Sequence, residues 1–441
     1  MIDLAILAIV VFAFGLVSRR LEGTVVTPPI VFVAAGFVFG PSVLGLVEFG
    51  LDGHTVLLVS EIALSLVLFT DAASINLSVL RQNEGLPLRL LGIGMPLTIA
   101  LGTACAAALL LTDLTFWEAA IVGTVLAPTD AALGQAVVSN PRVPVRVRQA
   151  LNVEAGLNDG LSVPFLLLFL TLAVAEEELQ PASYWIRFAL EQVGLGILVG
   201  VGVGLVGGWL LSWASKREWM TGSFRRLALL ALAIIAWALA DQIGGNGFIA
   251  AFVGGLAVRP TVESVGEQLI RFTEAEGQLL NLSVFFIFGV LVVGLIQPLS
   301  WEVAVYALLS LTAIRMLPVA LSLMGTHLRG VSVLFMGWFG PRGLASIVLG
   351  LVVVTEAPLL AGRDEIGVVV ALTVLLSVLL HGVTAAPLSA VYVRRVEGMA
   401  ASAPEKREMG ELPTRVGSVS TNDSKATMTP NERSGWKEPD T

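Results

Sequence analysis

Three acids and an amide stand in stretches otherwise fit for hydrocarbon. Asn158-Asp159 opens a long apolar run, with Glu154 one helical turn before it. Asp130 lies inside the preceding run, in Leu126-Ala127-Pro128-Thr129-Asp130. A carboxylate at the centre of a bilayer costs roughly 3 kcal/mol on insertion scales, so such groups mark ion or proton pathways. Burial disfavours the charged form of a carboxyl group. A buried Asp159 can then hold either a proton or a hard cation, and that exclusivity is the chemistry of exchange. Sodium-like cations take oxygen ligands. Asp159, Asp130, the Thr129 hydroxyl or carbonyl and water can supply them.

Helical geometry divides this neighbourhood. Glu154 and Asn158 are four apart and share a face. Asp159 lies about 140° around the axis from Glu154, on a different face. Two cations share the apolar surroundings: Arg315, in Thr312-Ala313-Ile314-Arg315-Met316-Leu317-Pro318, and Arg342, in Gly340-Pro341-Arg342-Gly343. A Glu154–Arg315 pair would avoid two uncompensated buried charges. Three acids against two arginines leave at least one acid over, and Asp159 is the choice. Asp71, in Phe69-Thr70-Asp71-Ala72-Ala73, reads as a helix-end acid or as an outer ligand or entrance group. His54 and His327 read as interfacial, and His381 as a packing or hydrogen-bonding residue.

These side chains need elements to hold them. The chain has 441 residues, 56% hydrophobic and only 14% charged. A soluble domain is about 25% charged, so this composition implies an all-α polytopic membrane protein. One cysteine, Cys105, excludes an internal disulfide, and a net charge of -8 gives nucleic acid no basic surface. No cofactor motif appears. The first apolar run lacks a basic start and is followed by Arg19 and Arg20, so it reads as a span and not a signal peptide.

Thirteen apolar segments follow, at about 3–18, 25–39, 54–71, 87–111, 117–137, 150–175, 185–213, 224–241, 246–258, 278–296, 301–325, 331–354 and 366–393. Loops alternate in charge. Odd loops carry Arg19 and Arg20, Arg81, Arg142 to Arg148, Lys216 to Arg226, Arg259 and Arg271, and Arg329. Even loops carry Glu48 and Asp52, Asp113, Glu176 to Glu178, and Asp241; the sixth mixes Arg363 with Asp364 and Glu365. The positive-inside rule puts the N-terminus outside and the C-terminus in the cytoplasm. From about 397 the composition turns polar, which reads as a disordered cytoplasmic tail.

Segments 5 and 12 are interrupted by Pro128 and Pro341. Each proline removes one helical hydrogen bond, which should free the carbonyls of Thr124 and Gly337. The two segments are seven spans apart, and an odd offset inverts orientation. Matched interruptions in two inverted halves point to a transporter's midplane site.

At these residues the chain resembles the monovalent cation/proton antiporter superfamily, in its NhaP-like branch. Ala127-Pro128-Thr129-Asp130, Glu154-x-x-x-Asn158-Asp159-Gly160 and Gly340-Pro341-Arg342-Gly343 carry the likeness, with weaker support from Asn246-Gly247-Phe248-Ile249-Ala250. The resemblance implies a transporter and not an enzyme. It implies a homodimer in a prokaryotic inner membrane, exchanging protons for sodium or lithium, with potassium as the alternative. It implies an elevator-like core of spans 4–6 (87–180) and 11–13 (301–395). Spans 1–3 (1–86) and 7–10 (181–300) form the interface, ahead of a tail at 396–441. Asp159 becomes the cation/proton carboxylate, with Thr129 and Asp130 at the crossing of two broken helices, spans 5 and 12. Glu154 would pair with Arg315 and fix Asn158. Many relatives have serine after the glutamate where this chain has Ala155. The Asn-Asp pair resembles electroneutral exchangers. A cation channel or sensor on the same scaffold is a competing reading. A two-aspartate intramembrane hydrolase is another, although hydrolysis does not need inverted breaks and Gly-x-Gly-Asp is absent.

Overall fold

The computed structural model describes residues 2–21, 24–48, 54–74, 85–110, 114–130, 132–177, 182–265, 268–297, 299–400 and 402–406. Asp52, Arg81, Asp113, Glu178 and the tail from 407 lie outside them. No strand occurs among the described residues. The helices are α1 Ile2–Leu21, α2 Pro28–Phe39, α3 His54–Ser74, α4 Leu86–Leu110, α5 Phe116–Val125, α6 Gln135–Val138 and α7 Val145–Glu177. They continue as α8 Ala182–Lys216, α9 Gly222–Gln242, α10 Gly247–Val265, α11 Gln268–Leu295, α12 Trp301–Leu311, α13 Ala313–Ser322, α14 Gly330–Trp338, α15 Leu344–Glu356 and α16 Arg363–Glu397. Among the described residues, nine helices are long and apolar enough to cross a bilayer. Four shorter apolar helices, Pro28–Phe39, Phe116–Val125, Gly247–Thr261 and Leu344–Glu356, occupy the second, fifth, ninth and twelfth apolar segments.

Packing sorts the helices into two groups. In one, α2 packs on α11, α3 on α10 and α11, and α8 and α9 on α10. In the other, α5 packs on α4 and α7, α12 and α15 on α16, and α13 on α14. Small residues allow the closest approach. A Cβ at Gly196, Gly200, Gly204 or Gly208 of α8 would strike α10 or the turn before it, at Asn246, Ala250, Gly254 or Thr261. A four-residue spacing keeps this stripe on one face, the usual device where lipid offers no hydrophobic drive between helices.

The chain after the last span is a correction to the sequence reading. Residues from 396 were expected to be disordered, yet Met399, Ala403 and Glu405 are buried. The Glu405 carboxylate accepts from the Arg329 amide at 2.7 Å and the Ser332 hydroxyl at 2.9 Å. It thereby sits on the amino end of α14, where a negative charge is favoured. Arg146 at the start of α7 donates to the Pro404 carbonyl at 2.9 Å. Composition missed this strap because its hold comes from a few polar contacts and two apolar side chains, Met399 and Ala403.

Glu405→Ala should cost about 2 kcal/mol, because it strips buried donors of their acceptor. Glu405→Gln, which keeps one oxygen, should cost less. The thermal midpoint of the detergent-solubilised protein measures both. An alanine variant as stable as the parent would show that the strap bears no weight.

Candidate functional site

Helix α5 stops at Val125, and residues 126–130 leave the helix before the short α6. Helix α14 stops at Trp338, and 339–343 run irregularly into α15. The two irregular stretches touch: the Asp130 amide donates to the Pro341 carbonyl at 2.7 Å. One expectation fails here. Pro128 does not leave the Thr124 carbonyl open, because the Ala127 amide turns back to it at 3.1 Å.

Each break supplies the charge that the other needs. Arg342 donates to the carbonyls of Ala127 at 2.9 Å and Pro128 at 3.2 Å, at the carbonyl end of α5. Ser346 adds a bond to the Val125 carbonyl at 2.7 Å. In return the Asp130 carboxylate accepts from the Leu344 amide, at the amino end of α15, at 3.1 Å, and from Ala132 at 2.7 Å. Helix ends carry unsatisfied backbone groups and opposite partial charges, so both arrangements are favourable. Gly340 and Gly343 are required by contact: a Cβ would overlap the Arg315 guanidinium at the first and the Asp130 carboxylate at the second.

The same contacts correct the acid-and-arginine count. Both terminal nitrogens of Arg342 donate to carbonyls, including Ser310 at 3.4 Å, and it forms no ion pair with an acid among the described residues. Of these two arginines, Arg315 is the one that pairs with an acid among the described residues, as a two-bond fork to Glu154 at 2.5 and 2.9 Å, both side chains 2% exposed. The chain kinks at Thr312, between α12 and α13, three residues before Arg315. Asn158 is not held by that pair. Its amide nitrogen donates to the Thr129 hydroxyl oxygen at 2.8 Å, tying α7 to the first break.

Asp159 lies 4% exposed on α7, and no hydrogen bond or ion pair reaches its carboxylate among the described residues. Its carbonyl accepts from Ser162 at 2.7 Å. The next residue, Gly160, leaves room for the Phe252 ring of α10, which a Cβ would strike. Asp71 is buried in the last turn of α3, with its Cβ 3.6 Å from the place a Gly156 Cβ would take. It therefore faces α7 between Glu154 and Asp159, not a loop. Asn246 accepts from the Ile249 amide at 3.0 Å and starts α10.

His381 has the hydrogen-bonding place expected of it, but sequence reasoning overlooked Ser377, its partner behind the second break. Ser377 on α16 accepts from the Arg342 amide at 2.6 Å. His381, one turn on, stands 3.2 Å from that hydroxyl through Nδ1 and 2.9 Å from the Trp338 carbonyl through Nε2. Nδ1 also lies 3.0 Å from the Ser377 carbonyl, so the ring bridges Ser377 to the end of α14. Ser377 and His381 are four apart in an apolar run, which is a legible signal. Glu118 was also overlooked. It caps α5 through the Thr115 amide at 2.8 Å and reaches the Gly362 amide at 2.7 Å, tying α5 to the start of α16.

An all-helical, multi-pass membrane scaffold thus converges two chain breaks on one unbonded carboxylate. The chain belongs to the sodium/hydrogen exchanger transmembrane family, which matches residues 5–391. It is 29% identical over 79% of its length to the K(+)/H(+) antiporter NhaP of Alkalimonas amylolytica, covering 60% of that protein. It is 27% identical over 65% of its length to the K(+)/H(+) antiporter NhaP2 of Shewanella sp. strain ANA-3, covering 48% of it. The chain thus spans about half the length of the curated relatives it matches. Its fold is like that of the sodium proton antiporter MjNhaP1 from Methanocaldococcus jannaschii, with a TM-score of 0.71, 19% identity, and 90% and 99% of the two chains covered.

Arg315→Met should destabilise the protein by about 3–5 kcal/mol, since it strands Glu154. The double variant Arg315→Met/Glu154→Leu should recover most of that loss. Thermal unfolding across the four-member cycle decides the matter. A double variant no more stable than Arg315→Met would mean that the pair does more than neutralise itself.

Proposed function

We propose that this protein is a secondary antiporter, exchanging protons for monovalent cations at Asp159. One observation carries the reading: a buried carboxylate that makes no bond among the described residues, beside a neutral amide already committed to Thr129. With its oxygens unshared, Asp159 can bind a proton or a cation but not both. Thr129 and Asp130 complete the oxygen set, and Asp71 stands as an outer ligand or entrance group. One-for-one exchange requires that Asp130 keep a single charge state through the cycle, and the Ala132 and Leu344 amides that engage its oxygens support this. Asn158 cannot release a proton. One carboxylate then cycles, which gives one proton for one cation and an electroneutral exchange.

The scaffold is read as thirteen spans in inverted repeats, with the broken spans 5 and 12 crossing at the site. The group around α5, α7 and α12–α16 moves as an elevator-like core against α2, α3 and α8–α11, which also form a homodimer interface. The protein lies in a prokaryotic inner membrane, N-terminus outside and C-terminus cytoplasmic. Sodium or lithium is the proposed cargo. A second reading, potassium, is favoured by the two bacterial relatives named above and by Ala155, where a serine hydroxyl would add an oxygen.

In proteoliposomes with an imposed pH gradient, added cation should dissipate the gradient, and Asp159→Asn should abolish this. Transport by that variant at the parental rate would remove the carboxylate mechanism. Because proton and cation compete, the apparent KM for the cation should rise as pH falls, with kcat little changed. A panel of lithium, sodium and potassium separates the two cargo readings. A sodium-exchange rate that follows a valinomycin-imposed potential would sink the one-for-one stoichiometry.

A further inference from the structure

Helices α8 and α9 join through residues 217–221 in a tight hairpin. Helix α8 ends in a Schellman turn: the Trp219 amide donates to the Ala214 carbonyl at 3.0 Å and the Glu218 amide to Ser215 at 3.1 Å. Glu218 takes a left-handed φ of 59°, a position where glycine is the ordinary occupant. The turn folds Trp219 against Trp213, with ring centroids 4.7 Å apart. Arg217 lies over both, its guanidinium carbon 4.5 Å from the Trp213 centroid and 5.4 Å from that of Trp219. The indoles hold the guanidinium by cation–π attraction, and among the described residues no hydrogen bond engages its N–H groups. Among the described residues, none of Lys216, Arg217 and Arg225 pairs with an acid.

The other half of the hairpin carries the same sign. Arg225 and Arg226 lie at the start of α9, whose first turn has no acid. Cations there oppose the helix dipole. Four cations thus face one acid, Glu218, between 213 and 226. Trp209, Trp219 and Phe224 are all more than 60% exposed, the aromatic pattern of a membrane–water boundary. Cations fixed at that boundary with apolar rings beside them match one ligand chemistry: a phosphodiester with acyl chains attached.

We propose that the α8–α9 hairpin is a headgroup site for an anionic phospholipid, with Arg217 held ready by its two tryptophans and joined by Lys216 and Arg225. The site lies apart from Asp159 and stands whether or not the exchange mechanism holds.

The test uses the full chain in nanodiscs of phosphatidylcholine, with or without phosphatidylglycerol. Native mass spectrometry should show phosphatidylglycerol retained on the parent. The double variant Arg217→Gln/Arg225→Gln should bind it roughly 25-fold more weakly, about fivefold for each surface cation removed. Arg19→Gln/Arg20→Gln, which loses the same charge elsewhere, should bind like the parent. Equal loss in both variants would reduce the effect to net charge and overturn the proposal. Should the Arg217/Arg225 variant fail to fold, hydrogen exchange on the parent still decides. Phosphatidylglycerol should slow exchange at 216–226, and no slowing there overturns the site. Soluble glycerol phosphate giving the same protection would make it a free-anion site, which also overturns it.

Discussion

Everything at the centre of this molecule rests on a reciprocal trade between two broken helices. A helix interrupted inside a membrane leaves carbonyls at one end and amides at the other, and hydrocarbon cannot satisfy either. Arg342 leaves the second break to serve the carbonyl end of α5. Asp130 leaves the first to serve the amide end of α15. Each charge would be costly where it stands were the other helix end not there. The trade also fixes the distance between breaks, since Asp130 spends its own amide on Pro341. Neither break could hold its shape alone.

This decides how the remaining polar groups are partnered. Arg342 is used on backbone, so it is not available to neutralise an acid. Glu154 is neutralised by Arg315 in a fork that uses both carboxylate oxygens. Asn158 is committed to Thr129. Of the two buried acids on α7, Glu154 is paired and Asp159 is left with no protein partner at its carboxylate among the described residues. A buried charge without a partner is unstable unless something from outside neutralises it. Proton and cation are the two species that can.

The parts legible in the sequence were those with a large energetic signature. A carboxylate in an apolar run, a proline in mid-segment and the Glu154–Arg315 pairing all follow from the cost of burying charge or of losing a backbone bond. What escaped was which partner a group chooses when several are affordable on chemistry alone. Arg342 could have met an acid or a carbonyl, and only the proximity of α5's carbonyl end decides. Asn158 could have braced Glu154, its neighbour on the helix face, but Thr129 of the other chain break is within 2.8 Å. Glu405 sits in a polar stretch whose composition suggests no structure, and it is buried through contacts with residues about 75 positions earlier. Long-range choices of this kind have no periodicity to betray them.

The distribution of bonds around Asp159 bears on how such a site could open. Towards the chain breaks the contacts are directional: Asn158 to Thr129, Arg315 to Glu154, Arg342 to the α5 carbonyls. Towards α10 the contact is the Phe252 ring over Gly160, without hydrogen bonds between those two residues. Directional bonds resist sliding because each has one good geometry, whereas an apolar ring over a bare backbone loses little when displaced along it. If the site is carried across the membrane, the weaker constraint lies on the α10 side. The helices that define the site would then travel together, and α10 would be the surface they pass.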